Sequence, residues 1–357
     1  MMAEERPGSP GVDHKLRQAV IEVTNACNLR CPHCASTSGK PRANEMGLTE
    51  IRALLETIAS LGGEEITIIG GEAFIRPDWY EICAAVRELG MRLILISNGM
   101  LIRDEVTFAR LGKLSPHLIG ISIDGATPET YLHHRGVDGF HHIMALLERL
   151  VAEEHSNVNA ITTFTKANLK EFDAFADLFA DTGITWQVQI ANKGGERFDN
   201  ALFPSRSDYA WLVSQMRRVW LESRDRVRLQ WMDDFGYFPL DPALRFLHQT
   251  WHGCMAGLEL IGVRSNGDVL GCLSLGDEFV EANLRDEPLE SIWTSGRFFS
   301  QFRHKEEHLV GECARCPFAS KCKAGCTSIA WSATGRIGVN PYCIRSLETR
   351  DILDEVL

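Results

Sequence analysis

The chain has 357 residues, 45% of them hydrophobic and 24% charged, which is the balance of a globular protein and not of a disordered or fibrous one. Its formal net charge of -11 argues against a general nucleic-acid binder, whose phosphate contacts need a basic surface. No apolar run approaches the roughly eighteen residues of a membrane span, and the polar start MMAEERPGSPGVDHK carries no export signal, so the expected setting is the cytoplasm, with no nucleic-acid or membrane partner.

Residues 1–18 read as an N-terminal tail. From 19 to 231 the pattern alternates strand and helix. The strand candidates are AVIEVT, EITIIG, RLILISN, LIGISIDG, NVNAITTF and ITWQVQIA. They are rich in Ile, Val and Leu and mostly bounded by Gly, Asn or Asp, as buried parallel strands are. Between them lie helical patterns such as TEIRALLETIASLG, WYEICAAVRELG, FHHIMALLERLVAEE and KEFDAFADLFADTG, and the last is SDYAWLVSQMRRVWLESR, capped by Ser207 or Asp208. Six strand–helix units predict an α/β fold with a parallel sheet, open or curled into a partial barrel, and place the chemistry at the carboxyl ends of the strands.

Residues 232–253, with DDFGYFPLDPALRF, read as a connector to a smaller domain at 254–357. LELIGVRSNGDVLGCLSL predicts a hairpin around Asn266–Gly267, and PLESIWTSGRFFSQFRH one helix. The remainder is Cys- and Gly-rich, apart from a C-terminal helix. Such a segment is expected to bury little core of its own and to depend on metal for its order.

Eleven cysteines are many for a reducing compartment, where metal binding or catalysis is a better expectation than disulfides. Three lie within 27–34 and seven within 254–343, with Cys83 alone between them on an apolar helix face, where a buried thiol is expected. In VTNACNLRCPHCAST, the spacing of Cys27, Cys31 and Cys34 would suit one helix face, but Pro32 breaks a helix there. The cysteines therefore fall on a loop leaving the first strand. Zinc held by these three and His33 is one reading, although His33, between two ligands, is badly placed to face the same ion. Three thiolates also fit a four-iron cluster with one iron open.

The segment resembles the radical S-adenosylmethionine (radical SAM) enzymes, whose signature is C-x3-C-x2-C. The resemblance implies that Cys27, Cys31 and Cys34 hold a [4Fe-4S] cluster. SAM then fills the open iron through its amine and carboxylate. One electron, from an external donor of the flavodoxin or ferredoxin type, cleaves SAM to methionine and a 5′-deoxyadenosyl radical. GGEAF matches the family's GGE motif, with Gly70, Gly71 and Glu72 expected at the methionine amine. SNG, with Ser97 and Asn98, ends the third strand where the family often has such a turn. SID, from Ser122 to Asp124, resembles the ribose-contacting position. Arg135 resembles an arginine that pairs with the SAM carboxylate, the alternative being a solvated surface arginine. His33 stands where the family usually has an aromatic residue near the adenine. The resemblance spans about residues 19–231 and implies a (β/α)6 partial TIM-type barrel.

The later cysteines, Cys254, Cys272, Cys313, Cys316, Cys322, Cys326 and Cys343, resemble the SPASM extension of some radical SAM enzymes; a zinc ribbon is the competing reading, but seven cysteines divide badly into fours. The resemblance implies two auxiliary [4Fe-4S] clusters, and so three clusters in all. Cys313, Cys316, Cys322 and Cys343 would hold the distal one. Cys254, Cys272 and Cys326 would hold the proximal one, left open on one iron or closed by another group. Glu259 is near in sequence but reads better as an outward strand residue.

Enzymes of this kind mature ribosomal peptides, activate sulfatases or build cofactors and natural products. In sulfatase maturases an aspartate follows the cysteine at the Cys272 position; Leu273 stands here, which argues against that activity. The expected function is hydrogen abstraction from a ribosomally made peptide, forming a cross-link, thioether or other oxidised product. The short stretch before the first strand is too small for a leader-binding domain, so a separate leader-peptide-binding protein is an expected partner. The alternative is oxidation or rearrangement of a small-molecule cofactor or antibiotic precursor. A cluster-carrying protein without chemistry would leave the GGE motif idle.

Overall fold

The computed structural model describes residues 14–356, apart from 155, 233, 236, 237 and 249–252. Most of the N-terminal tail and part of the connector lie outside the described residues. Within them the six expected strands form as β1 Gln18–Glu22, β2 Glu65–Ile69, β3 Arg92–Ser97, β4 Leu118–Ser122, β5 Asn157–Phe164 and β6 Thr185–Ile190. A short seventh, β7 Arg228–Trp231, follows at the edge. All seven pair in chain order and in parallel.

Helices cover the sheet because their apolar faces recur at helical spacing. α1 Leu48–Ser60 buries Ile51, Leu54, Leu55 and Ile58. α2 Trp79–Glu88 buries Ile82, Cys83 and Val86, so Cys83 is the buried thiol its helix face predicts. α3 Glu105–Leu114, α4 Pro128–Arg135, α5 Phe140–Ala152, α6 Phe172–Phe179 and α7 Arg206–Glu222 complete the layer. α7 starts earlier than expected. Ser205 is its cap, its hydroxyl accepting from Asp208 N while the Asp208 carboxylate accepts from Ser205 N, a reciprocal capping box.

The cysteine-rich segment is not a separate layer. β8 Leu260–Val263 pairs in parallel with β1, and the expected hairpin carries the sheet on through β9 Asp268–Leu270 to β10 Val280–Asn283. One ten-stranded sheet therefore runs from β10 to β7. Gly267 turns the hairpin with φ +91°, a conformation glycine adopts without penalty.

The hairpin and the helices that follow it join the main core. Ile261, Val263, Val269, Leu270, Phe279, Ile292, Trp293 and Phe299 all belong to the main core, so residues 256–302 are held by the hydrophobic effect. The single helix expected at 288–304 is two, α8 Leu289–Thr294 and α9 Ser300–Arg303, with Phe299 at φ +60° between them. After Lys305 the chain holds short helices: α10 Gly311–Ala314, α11 Ala319–Cys322, α12 Thr327–Thr334 and the terminal α13 Ile344–Val356.

Candidate active site

Four neighbouring strand ends build the site. Past β1, the chain leaves as the cysteine loop, whose base is closed by Cys27 N donating to the Gly39 carbonyl at 3.4 Å and Gly39 N donating to the Asn25 carbonyl at 2.9 Å. Residues 27–34 run through turns and bends, as Pro32 requires. Glu45 ties the returning strand of the loop down: its carboxylate accepts from Thr24 Oγ1, Asn25 N, Arg42 N and Ser265 Oγ.

Gly70 and Gly71, past β2, lie directly against this loop. A Cβ on Gly70 would stand 2.5 Å from the Thr24 carbonyl oxygen, and one on Gly71 2.3 Å from that of Ala26. Their lack of side chains lets Gly71 N donate to Thr24 O at 2.7 Å and Glu72 N to Ala26 O at 2.8 Å. The two glycines thus serve the cysteine loop itself, which the sequence reading did not foresee. Glu72 is buried, accepting from Phe74 N, from Ser97 Oγ at 2.8 Å and from Asn98 N at 2.8 Å. Burial raises its pKa against these donors. Asn98 in turn donates to Asn28 Oδ1 at 2.8 Å and lies 3.9 Å from Cys27 Sγ.

Past β4, Asp124 is completely buried. One oxygen meets His33 Nε2 at 2.7 Å and Arg135 Nη2 at 2.6 Å; the other accepts from Thr163 N at 2.8 Å. Burial alone would raise its pKa, but the charge of Arg135, then His33, overcomes this and holds the carboxyl well below the usual range. Arg135 ends α4, 9% exposed, and also points Nη1 at Cys31 Sγ, 3.6 Å away.

The charges of Cys31 and Cys34 oppose ionisation of Cys27, and that of Cys34 opposes ionisation of Cys31. Burial pushes Cys27 up to about 11 and raises Cys31 despite Arg135. Cys34 is lowered: burial opposes ionisation, but the backbone amides of Ser38 and Ser36 and the Ser36 hydroxyl favour the thiolate. Among the described residues, no set of His, Cys, Asp or Glu closes around one point as a single metal ion demands, zinc–sulfur bonds being about 2.3 Å. His33 Nδ1, His134 Nδ1 and Arg135 Nε are buried with no hydrogen-bond partner among the described residues, so polar capacity around the loop awaits a guest.

The later cysteines fall into two groups. Cys326 feels Cys254 and Cys272, and Thr327 Oγ1 donates to Cys254 Sγ at 3.2 Å. Cys322 feels Cys343 and Cys313, and Cys343 feels Cys313 and Cys316. Burial raises Cys326 and Cys322 to about 12. Among the described residues no disulfide joins these cysteines.

A sequence profile of the radical SAM superfamily matches residues 21–179, and one of SPASM, an iron–sulfur cluster-binding domain, matches 254–317. An AdoMet-dependent heme synthase of Methanosarcina barkeri is 30% identical over 339 residues, spanning 90% of this chain and 95% of its own. The chain belongs to the radical SAM superfamily. It is an enzyme of that superfamily with a C-terminal SPASM domain. The mycofactocin maturase MftC of Mycobacterium tuberculosis is 28% identical over 342 residues, 91% of this chain and 82% of its own. Streptococcus suis SuiB, solved with its precursor peptide SuiA, shares the fold with a TM-score of 0.72 at 17% identity, over 92% of this chain and 75% of that one.

In this radical SAM enzyme Glu72, Ser97, Asn98, His33, Asp124 and Arg135 lie past the strand ends beside the cysteine loop. Asp124 has both oxygens engaged by protein groups. His33 is held by that carboxylate, with its ring edge-on to His134 at 5.9 Å. Arg135 is buried in an ion pair, which removes the surface reading. Ser122, half-buried, ends β4 below this network. Glu259 pairs with Arg17 at 3.3 Å, half-exposed, consistent with an outward residue. Sequence reading missed Gly194 and Gly195: Cβ atoms there would strike the carbonyls of Ala35 and Cys34, and the signal was the unexplained GG of NKGGE.

Proposed function

We propose that the chain carries three [4Fe-4S] clusters and uses the first, with SAM, to abstract hydrogen from a substrate. The observation that carries this reading is the interlock of the Cys27–Cys34 loop with Gly70–Glu72. The donor set fits: three thiols on one loop, Cys34 with a lowered pKa, and orphaned polar atoms beside them. When bound, the cluster and SAM supply one-electron cleavage of SAM and a radical that takes hydrogen from substrate.

The chain's own residues hold that chemistry in place. Glu72 fixes the turn after β3 through Ser97 and Asn98, and keeps the backbone at Gly70–Gly71 against the loop. The SAM amine is assigned to this turn. Arg135 is assigned to the SAM carboxylate's side, with Asp124 orienting it and His33 together. Cys313, Cys316, Cys322 and Cys343 are assigned to the distal auxiliary cluster, and Cys254, Cys272 and Cys326 to the proximal one. A flavodoxin- or ferredoxin-type donor supplies electrons. No described helix is long and apolar enough to cross a membrane, and the assigned compartment is the cytoplasm.

The substrate class we favour is a ribosomally made peptide, supported by the mycofactocin maturase relative, with a separate protein binding its leader. A small anionic cofactor precursor is the second reading. It is supported by the heme synthase relative and by an open cleft of about 580 Å³ lined by Arg30, Lys40, Arg42 and Arg197 beside the cysteine loop. Incubating the reduced, reconstituted enzyme and SAM with each class separates them. A mass loss of hydrogen in a peptide supports the first, a tetrapyrrole or other small-molecule product the second, and turnover of neither class refutes both.

A further inference from the structure

Lys305 lies in the polar run RHKEEH, where nothing marks it for burial, yet it is 2% exposed. A buried ammonium is strongly unfavourable without a counter-charge. Among the described residues no carboxylate pairs with it; its Nζ donates to the Gly325 carbonyl at 2.8 Å. Gly325 stands between Cys322 and Cys326, and its own N–H donates to the Cys322 carbonyl at 2.8 Å. Cys322 belongs to the four-cysteine group and Cys326 to the three-cysteine group, so the ammonium is seated at the seam between them. The sulfurs that act on its charge come from both sides: Cys254 and Cys326 from one group, Cys322 and Cys313 from the other. As neutral thiols these cannot compensate a cation. As cluster thiolates they supply the anions that it lacks.

We propose that Lys305 is the shared counter-cation of the two auxiliary clusters, seated between them and raising the reduction potentials of both. The inference rests on the two-cluster reading above. A fixed positive charge favours the more negative, reduced state of any centre within its field, and in a dry interior that field is weakly screened. One cation placed between two centres acts on both.

The test uses the full chain with Cys27, Cys31 and Cys34 all replaced by alanine, so that only the auxiliary clusters remain. Iron is counted, and both midpoint potentials are followed by spectroscopic redox titration. About eight irons in this parent uphold the two-cluster reading, whereas about four, or zinc, defeat it before Lys305 is touched. Lys305→Met is then expected to move both potentials to more negative values, and Lys305→Arg, which keeps the charge, to return them towards the parent. Loss of iron from Lys305→Met but not from Lys305→Arg supports the proposal equally, since charge is then what the clusters need. Unchanged potentials in loaded Lys305→Met overturn it, as does a shift in only one cluster. Equal loss of iron from both variants reduces Lys305 to a packing role and also overturns it.

Discussion

Replacing Arg135 by methionine separates two roles that the same guanidinium can play. In the structure Arg135 is buried, 2.6 Å from a carboxylate with no solvent exposure. Removing one partner of a buried ion pair costs about 3–5 kcal/mol, because the other charge stays buried and uncompensated. His33 remains on the same oxygen of Asp124 at 2.7 Å, so the loss should fall at the low end, about 3 kcal/mol. The assay is anaerobic urea denaturation of the full protein without SAM. Arg135→Met should lose this stability, and Asp124→Asn combined with it should lose less than the sum of the single changes. The pH dependence has a defined sign. Asp124 is held below its ordinary pKa in the folded state, so the pair's contribution is complete above the unfolded value of about 3.9 and fades as pH falls through the folded value. The gap between native and variant should stay constant from about pH 8 to 5 and narrow below about pH 4. A stability change under about 1 kcal/mol at neutral pH, with only SAM affinity reduced, would refute the structural pairing and leave Arg135 as a ligand-binding residue alone.

Gly71→Ala should displace the loop, since its Cβ would sit 2.3 Å from Ala26 O, one residue before Cys27; about four irons and SAM cleavage should be lost, as measured by iron assay and 5′-deoxyadenosine formation. Cys316→Ala should lose about four irons of about twelve while deoxyadenosine formation persists, because a four-thiolate site has no spare ligand. Cys83→Ser should leave iron content and SAM cleavage unchanged but destabilise by about 1–3 kcal/mol in denaturation, because the site is completely buried and apolar.

The parallel sheet was legible because β1 to β6 are short Ile- and Val-rich runs between helices of clear period. β7 was not, since RLQW has too few apolar residues to signal a strand and gains its place by pairing with β6. β8 read correctly as one arm of a hairpin, but no local pattern tells that LIGV also pairs with β1, more than two hundred residues earlier. That Cys27, Cys31 and Cys34 lie on a loop and not a helix was legible from Pro32. The partners of the polar site residues were not. Asp124 meets His33, ninety-one residues earlier, and Arg135, and only the fold shows those pairings. Lys305 gave no signal at all, because a lysine among Glu and His reads as a solvated face.

Cys27, Cys31 and Cys34, backed by Gly70–Glu72, are proposed to form the SAM-cleaving site. The most direct measurement is 5′-deoxyadenosine formation from SAM by the anaerobically reconstituted, reduced protein, beside the variant with all three cysteines changed to alanine. Deoxyadenosine is expected from the native chain and none from the variant, whose iron content falls by about four. Deoxyadenosine made at the native rate by the triple variant would contradict it.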